Sequence, residues 1–134
     1  MGRILAIDYG TKRVGIAWSD PLKMMAHSQP FLENNSELIT VITELVSTNN
    51  IEQVVVGLPK NRHGKSTRQT ESVMEFVNQL KEVLVVPIEL VNEAYSTQAA
   101  SKQLHEMGKS VKAQRSVIDS QAAAFFLQGY LDRF

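Results

Sequence analysis

The chain has no cysteine among its 134 residues. That excludes disulfides, thiolate zinc sites and cysteine nucleophiles, and it suits a reducing compartment. Net charge is missing too, because 14 Lys and Arg balance 14 Asp and Glu, so polyanions are not gripped by bulk charge. No apolar run approaches the roughly 18 residues of a membrane span. The first residues run directly into a strand pattern, without the charged start and apolar core of a signal peptide. These features predict a cytoplasmic protein that does not engage a membrane. Internal repeats, low-complexity tracts and linkers are also lacking. What is present is 43% hydrophobic residues, enough to bury the core of one compact domain, expected over residues 1–134.

The stretch that most needs explaining is Ile4-Leu5-Ala6-Ile7-Asp8-Tyr9-Gly10-Thr11-Lys12-Arg13-Val14-Gly15-Ile16-Ala17. It joins two apolar runs by a short polar turn and sets one carboxylate where the first run ends. An ionised carboxylate in apolar surroundings costs several kcal/mol, roughly, unless it is paired, hydrogen-bonded or bound to a cation. One reading makes Asp8 the start of a turn, with Gly10 supplying a positive φ. A second likens the segment to the phosphate-gripping hairpin of sugar kinases and actin-like ATPases, which needs two such domains in a chain longer than this one. A third makes Asp8 a metal ligand, and the choice depends on what lies opposite it.

Residues 3–8 and 14–19 read as antiparallel strands joined by the turn from Tyr9 to Arg13. A third strand lies between Met25 and Leu32, and Pro30 makes it an edge strand because proline cannot donate to a ladder. Ser36 is the expected cap of a helix whose Leu38, Val41, Ile42 and Leu45 form one buried stripe. That helix ends near Thr48-Asn49-Asn50. Val54-Val55-Val56-Gly57 has the uninterrupted, β-branched character of a strand covered on both faces. Val73, Phe76, Val77 and Leu80 repeat the helical spacing, and Val85 to Val91 forms another strand. Ser96 caps a further helix with Ala99, Ala100 and Leu104, stopped by Gly108, and a last helix runs from about Val117 to Leu131. Strands alternating with helices in the second half imply right-handed crossovers and parallel pairing. The expected fold class is α/β, a five-stranded mixed sheet flanked by helices.

In such sheets, sites form beyond the carboxyl ends of the parallel strands. Asp8 and Gly57 end two of them and Glu93 follows the last. Asp119 adds an acid on the final helix, three, four and seven residues before Ala122, Ala123 and Phe126, its apolar side. Each acid alone has an ordinary explanation, as a turn, a solvated residue or a favourable charge near a helix start. Three converging acids repel one another unless a cation neutralises them, and an oxygen-only donor set suits Mg²⁺ or Mn²⁺. Two such ions roughly 3.5–4 Å apart activate water and stabilise the leaving oxygen during attack on a phosphodiester. This is nuclease chemistry.

The loop Gly57-Leu58-Pro59-Lys60-Asn61-Arg62-His63-Gly64-Lys65-Ser66 invites comparison with a P-loop, but the spacing excludes it. Six residues separate its glycines where a Walker loop has four, and Pro59 removes an amide. Its better use is contact with a nucleic-acid backbone through Lys60, Arg62, Lys65 and Arg68, with Asn61 near the metal edge. His63 is an exposed loop histidine in this reading. Lys102, Lys109, Lys112 and Arg115 make a second basic group.

Four ordered motifs resemble the YqgF family, also called RuvX: Asp8 to Ala17, Val56 to Gly64, Glu93-Ala94-Tyr95-Ser96-Thr97 and Asp119 to Asp132. The resemblance spans nearly the whole chain. It implies a ribonuclease H-like fold related to the junction resolvase RuvC, with Asp8, Glu93 and Asp119 at the family's acidic positions. It also implies trimming of the 5′ end of precursor 16S rRNA, with Holliday junction resolution as the older proposal. One departure stands out, since the family usually has Asp-Glu-Arg where this chain has Asn92-Glu93-Ala94. The missing arginine weakens phosphate contact and keeps open a ribosome-assembly factor that binds nucleic acid without cutting it.

The combined expectation is a Mg²⁺ or Mn²⁺ dependent endonuclease with Asp8, Glu93 and Asp119 as metal ligands in a two-metal site. Lys12, Arg13, Lys60, Asn61, Arg62, Lys65, Arg68 and Arg115 are the expected nucleic-acid contacts. The expected partners are structured RNA such as pre-rRNA, or branched DNA, and ribosomal particles, with the chain acting as a monomer or homodimer.

Overall fold

The computed structural model of the chain describes residues 2–58, 68–92 and 111–132. Its elements are β1 (Arg3–Asp8), β2 (Arg13–Ser19), β3 (Ala26–Glu33), α1 (Leu38–Thr48), β4 (Ile51–Leu58), α2 (Arg68–Val83), β5 (Ile88–Asn92) and α3 (Val111–Leu131). The strands form one sheet in the order β3-β2-β1-β4-β5. Strands joined by short turns pair antiparallel, β1 with β2 and β2 with β3. Strands separated by helices pair parallel, β1 with β4 and β4 with β5. This is the expected five-stranded mixed sheet, and its crossovers follow from chain connectivity.

The pleat sorts the apolar residues into two layers. Leu5, Ile7, Val14, Ile16, Val54 and Val56 face α1 and α2, meeting Ile42, Val73, Phe76 and Leu80. Ile4, Ala6, Ala17, Val55 and Val91 face α3, meeting Ala123, Phe126, Leu127 and Tyr130. With helices on both sides, β1 is covered above and below, and Leu5, Ala6 and Ile7 are fully buried. That explains why its sequence is a continuous apolar run instead of an alternating one. Among the described residues no helix is long and apolar enough to cross a membrane.

Several boundaries differ from the sequence expectation, each for a local reason. β4 begins at Ile51, three residues ahead of the Val54 expected, because Ile51 already pairs with Arg3. β5 begins at Ile88 instead of Val85. Val85 is fully exposed, and Pro87, which has no amide, contributes only its carbonyl, accepting from Val54 N–H at 2.9 Å. α1 begins at Leu38 with Glu37 at the cap position and no side-chain cap bond. The polar contact comes from Asn35 instead of Ser36, its Oδ1 accepting from Glu37 N–H at 2.9 Å. α3 begins at Val111, six residues before Val117, through a polar stretch with no apolar stripe to announce it. The helix expected between Ser96 and Gly108 lies outside the described residues.

α3 is fastened to the hairpin formed by β2 and β3. Gln128 Oε1 accepts from Ala26 N–H at 2.9 Å, and Gln128 Nε2 donates to Met24 O at 3.0 Å. Ala26 pairs with Ser19 at the far end of β2, and Ser19 Oγ accepts from Ile4 N–H at 3.0 Å. The carboxyl-terminal half of α3 therefore sits at the edge where β1 begins.

Candidate active site

The parallel strands β1, β4 and β5 end at one edge of the sheet, at Asp8, Leu58 and Asn92. Asp8 is half-buried and sits opposite Gly15 of β2. Ile4 and Ala6 belong to the layer beneath α3, and side chains alternate along a strand, so Asp8 falls on the α3 face.

The turn after Asp8 is held from three directions. The Tyr9 ring stacks on Phe76 of α2, with centroids 4.4 Å apart and planes 25° from parallel. Asn34, just past β3, donates from Nδ2 to Gly10 O at 2.7 Å and from its backbone N–H to Lys12 O at 2.9 Å. The Arg13 guanidinium lies 5.2 Å from the centre of the Phe31 ring, a cation–π contact worth about 0.5–1 kcal/mol at an exposed site. Gly10 corrects an expectation, because its φ lies outside the left-handed region. Glycine is needed there for space: a Cβ would fall within 3.0 Å of the Arg13 carbonyl oxygen. The result is a fixed turn that presents Thr11, Lys12 and Arg13 to solvent beside Asp8.

Of the expected site residues, Asp8, Lys12 and Arg13 are brought together. Arg68 is the first residue of α2, and Arg115 and Asp119 lie in the first half of α3, but their side chains are outside the described part. Lys60, Asn61, Arg62, His63, Lys65 and Glu93 lie outside the described residues, Glu93 directly following the end of β5. Among the described residues no three His, Asp or Glu side chains converge as a metal site, and Asp8 is the one expected ligand whose side chain is described. Sequence reasoning missed Asn34. An asparagine after an edge strand reads as an ordinary loop residue, and a contact spanning 24 positions leaves no local pattern.

At the opposite edge, Asp20 Oδ1 accepts from Met24 N–H at 2.8 Å and Met25 N–H at 2.9 Å. The bonds from Met25 and Met24 hold its carboxyl below the usual carboxylate range. This acid shapes the turn between β2 and β3, where Lys23 takes a positive φ of 59° and pairs with Glu52.

Comparison with known proteins follows the same outline. A family profile described as RuvX, Holliday junction resolvase, matches residues 2–133. A protein of Clostridium kluyveri, named as a candidate pre-16S rRNA nuclease, is 37% identical over 133 residues, covering 98% of this chain and 97% of its own. A protein of Chlorobium chlorochromatii with the same name is 40% identical over 135 residues, covering 98% and 95%. Among solved structures, Thermus thermophilus RuvC in complex with a Holliday junction substrate superposes with a TM-score of 0.55 at 12% identity, covering 96% of each chain. Fowlpox virus resolvase bound to Holliday junction DNA gives 0.57 at 11% identity, covering 98% and 97%. At these identities the structures speak for the fold, the ribonuclease H-like architecture of RuvC. With a family profile spanning nearly every residue and relatives aligned almost end to end, the chain belongs to the RuvX family.

Proposed function

We propose that this chain is a cytoplasmic, divalent-metal-dependent endonuclease that trims the 5′ end of precursor 16S rRNA, with all of its machinery in one domain. The observation that carries the reading is the position of Asp8: half-buried, at the carboxyl end of the central strand, on the face covered by α3. The course of the chain supports a meeting of the other two acids there. From Gln128, held at the edge where β1 begins, nine residues of helix back to position 119 span about 13–14 Å. From Ile4 to Asp8 the strand rises about 13 Å, so the two acids belong at one level. Glu93 directly follows the end of β5, two positions after Val91, which faces α3.

The donor chemistry fits a hard cation, since carboxylates are available and the chain has no cysteine. Asp8, Glu93 and Asp119 would hold Mg²⁺ or Mn²⁺, as two ions in the full site. Bound there, the metal supplies neutralisation of the acids and acidification of water for attack on a phosphodiester. The chain's own contribution is binding and orientation. Lys12 and Arg13, presented by the pinned turn, take backbone phosphates beside the acids. Lys60, Asn61, Arg62, Lys65, Arg68 and Arg115 extend that grip along structured RNA. The names of the relatives support ribosomal precursor RNA as substrate. The family's description favours a second reading, branched DNA, which calls for paired centres in a homodimer, whereas end trimming needs one.

The test is cleavage of labelled precursor rRNA and of four-way DNA junctions with Mg²⁺ or Mn²⁺, comparing the parent with Asp8→Asn. Loss of cutting in the variant with retained folding is expected. Equal activity in both proteins would remove the assigned centre.

A further inference from the structure

The three acids of the proposed centre ride on separate elements, so something must set the distance between them. Asp8 is fixed inside the sheet. β5, which runs toward Glu93, is an edge strand that among the described strands is hydrogen-bonded to β4 alone. α3, which carries Asp119, lies on the layer formed by Ile4, Ala6, Ala17, Val55 and Val91. At the end of both elements away from the site, the structure contains a closed triangle of hydrogen bonds. Tyr130 Oη donates to Glu89 Oε2 at 2.7 Å. Gln53 Nε2 donates to Tyr130 Oη at 2.9 Å and to Glu89 Oε2 at 3.2 Å. One buried tyrosine of α3, 6% exposed, is thereby tied to Gln53 of β4 and to the exposed Glu89 of β5, whose register partner on β4 is Val55.

We infer that Gln53, Glu89 and Tyr130 form a positioning clamp that sets the separation of Glu93 and Asp119, and through it the affinity of the centre for divalent cations. The inference rests on the proposed metal site. From Glu89 to the end of β5 at Asn92 is three residues of strand, about 10 Å, and Glu93 is the next residue in the chain. From Tyr130 to position 119 is eleven residues of helix, about 16–17 Å. The clamp therefore acts at the closed end of a pair of arms whose open ends hold two ligands. Catalytic constellations tolerate displacements of only about 0.5 Å, and an error of about 1 Å in placement can cost about 10²-fold in rate. A small swing about the clamp is enough to matter.

The experiment measures Mn²⁺ binding by electron paramagnetic resonance, together with the Mn²⁺ dependence of cleavage of a labelled four-way junction and of precursor rRNA. The proteins compared are the parent, Tyr130→Phe, Glu89→Ala and Glu89→Gln. Glu89→Gln keeps an oxygen that accepts from Tyr130 and serves as the conservative rescue. Tyr130→Phe and Glu89→Ala are expected to raise the half-saturating Mn²⁺ concentration at least threefold, with KM for nucleic acid within twofold of the parent and Glu89→Gln close to it. Unchanged Mn²⁺ binding in both disruptive variants, whatever happens to Tm, overturns the clamp and leaves the nuclease reading standing. A parent that neither binds Mn²⁺ nor cleaves overturns both.

Discussion

Gly10→Ala tests the packing of the turn beside Asp8 and gives opposite signs from two glycines in one chain. A Cβ at Gly10 would come within 3.0 Å of the Arg13 carbonyl oxygen, where ordinary contact starts at 3.4 Å. The obstructing atom is backbone, so the turn itself must open by at least about 0.4 Å, at a cost of about 1–3 kcal/mol for overpacking. Alanine recovers about 0.4–1 kcal/mol by restricting the unfolded chain, and because the clash is with backbone the overpacking cost lies in the upper half of its range, which leaves a net loss of about 1–2.5 kcal/mol. For a chain of this length that lowers Tm by about 3–10 °C. The same opening strains the 2.7 Å bond from Asn34 to Gly10 and shifts Asp8 and Lys12. Given the tolerance of catalytic geometry, kcat is expected to fall at least about tenfold. Gly129 is the internal control, because it lies in α3 with nothing within 4 Å of its added Cβ. Gly129→Ala is expected to stabilise by about 0.5–1 kcal/mol. Thermal denaturation of the two variants with a single-turnover cleavage assay reads both effects. A Gly10→Ala protein that melts within about 1 °C of the parent and cuts as fast would refute the argument.

Ser19 is fully buried and its Oγ accepts from Ile4 N–H, so Ser19→Ala is expected to cost about 1–3 kcal/mol in denaturant titration. The Tyr9 and Phe76 stack predicts a coupling of about 0.5–1.5 kcal/mol in a double-mutant cycle; a coupling near zero would mean the rings merely sit together. Asp20 titrates below its usual value of 3.8 in the folded state, so the stability it adds is complete above about pH 4 and lost as pH falls through the lowered value. The stability gap between the parent and Asp20→Ala is therefore expected to close on acidification below 3.8, and a gap that widened there would contradict the hydrogen bonds from Met24 and Met25. Chelation with EDTA is expected to abolish cleavage and added Mn²⁺ to restore it, and activity that survived EDTA would remove the metal from the mechanism.

Which parts of the molecule were legible in the sequence follows from how far apart the determining residues are. β1, β2 and the parallel half could be read because Leu5, Ile7, Val54 and Val56 are apolar runs whose length and β-branching reflect burial on two faces. The start of α3 was hidden because its first six residues carry no apolar stripe. β5 was read three residues too long because Val85 and Val86 look like strand until Pro87 withholds its amide. The role of Gly10 depends on Arg13 folding back over it, which spacing alone cannot reveal. At the candidate site, Asp8, Lys12 and Arg13 were legible as one local turn. Asn34 and the bonds among Gln53, Glu89 and Tyr130 were not, because side-chain pairs 24 to 77 positions apart leave no periodic trace.

The tie from Gln128 to Met24 and Ala26 spans 104 and 102 positions, so a hairpin made early is secured by a helix made about a hundred residues later. At about 5–20 residues per second, the early strands wait about 5–20 s for their cover. During that interval the face of the sheet destined for α3 is uncovered, and Asp8 exists long before residue 119 is made. The layer of the core beneath α3 is therefore closed only late in synthesis, after every strand of the sheet has been made.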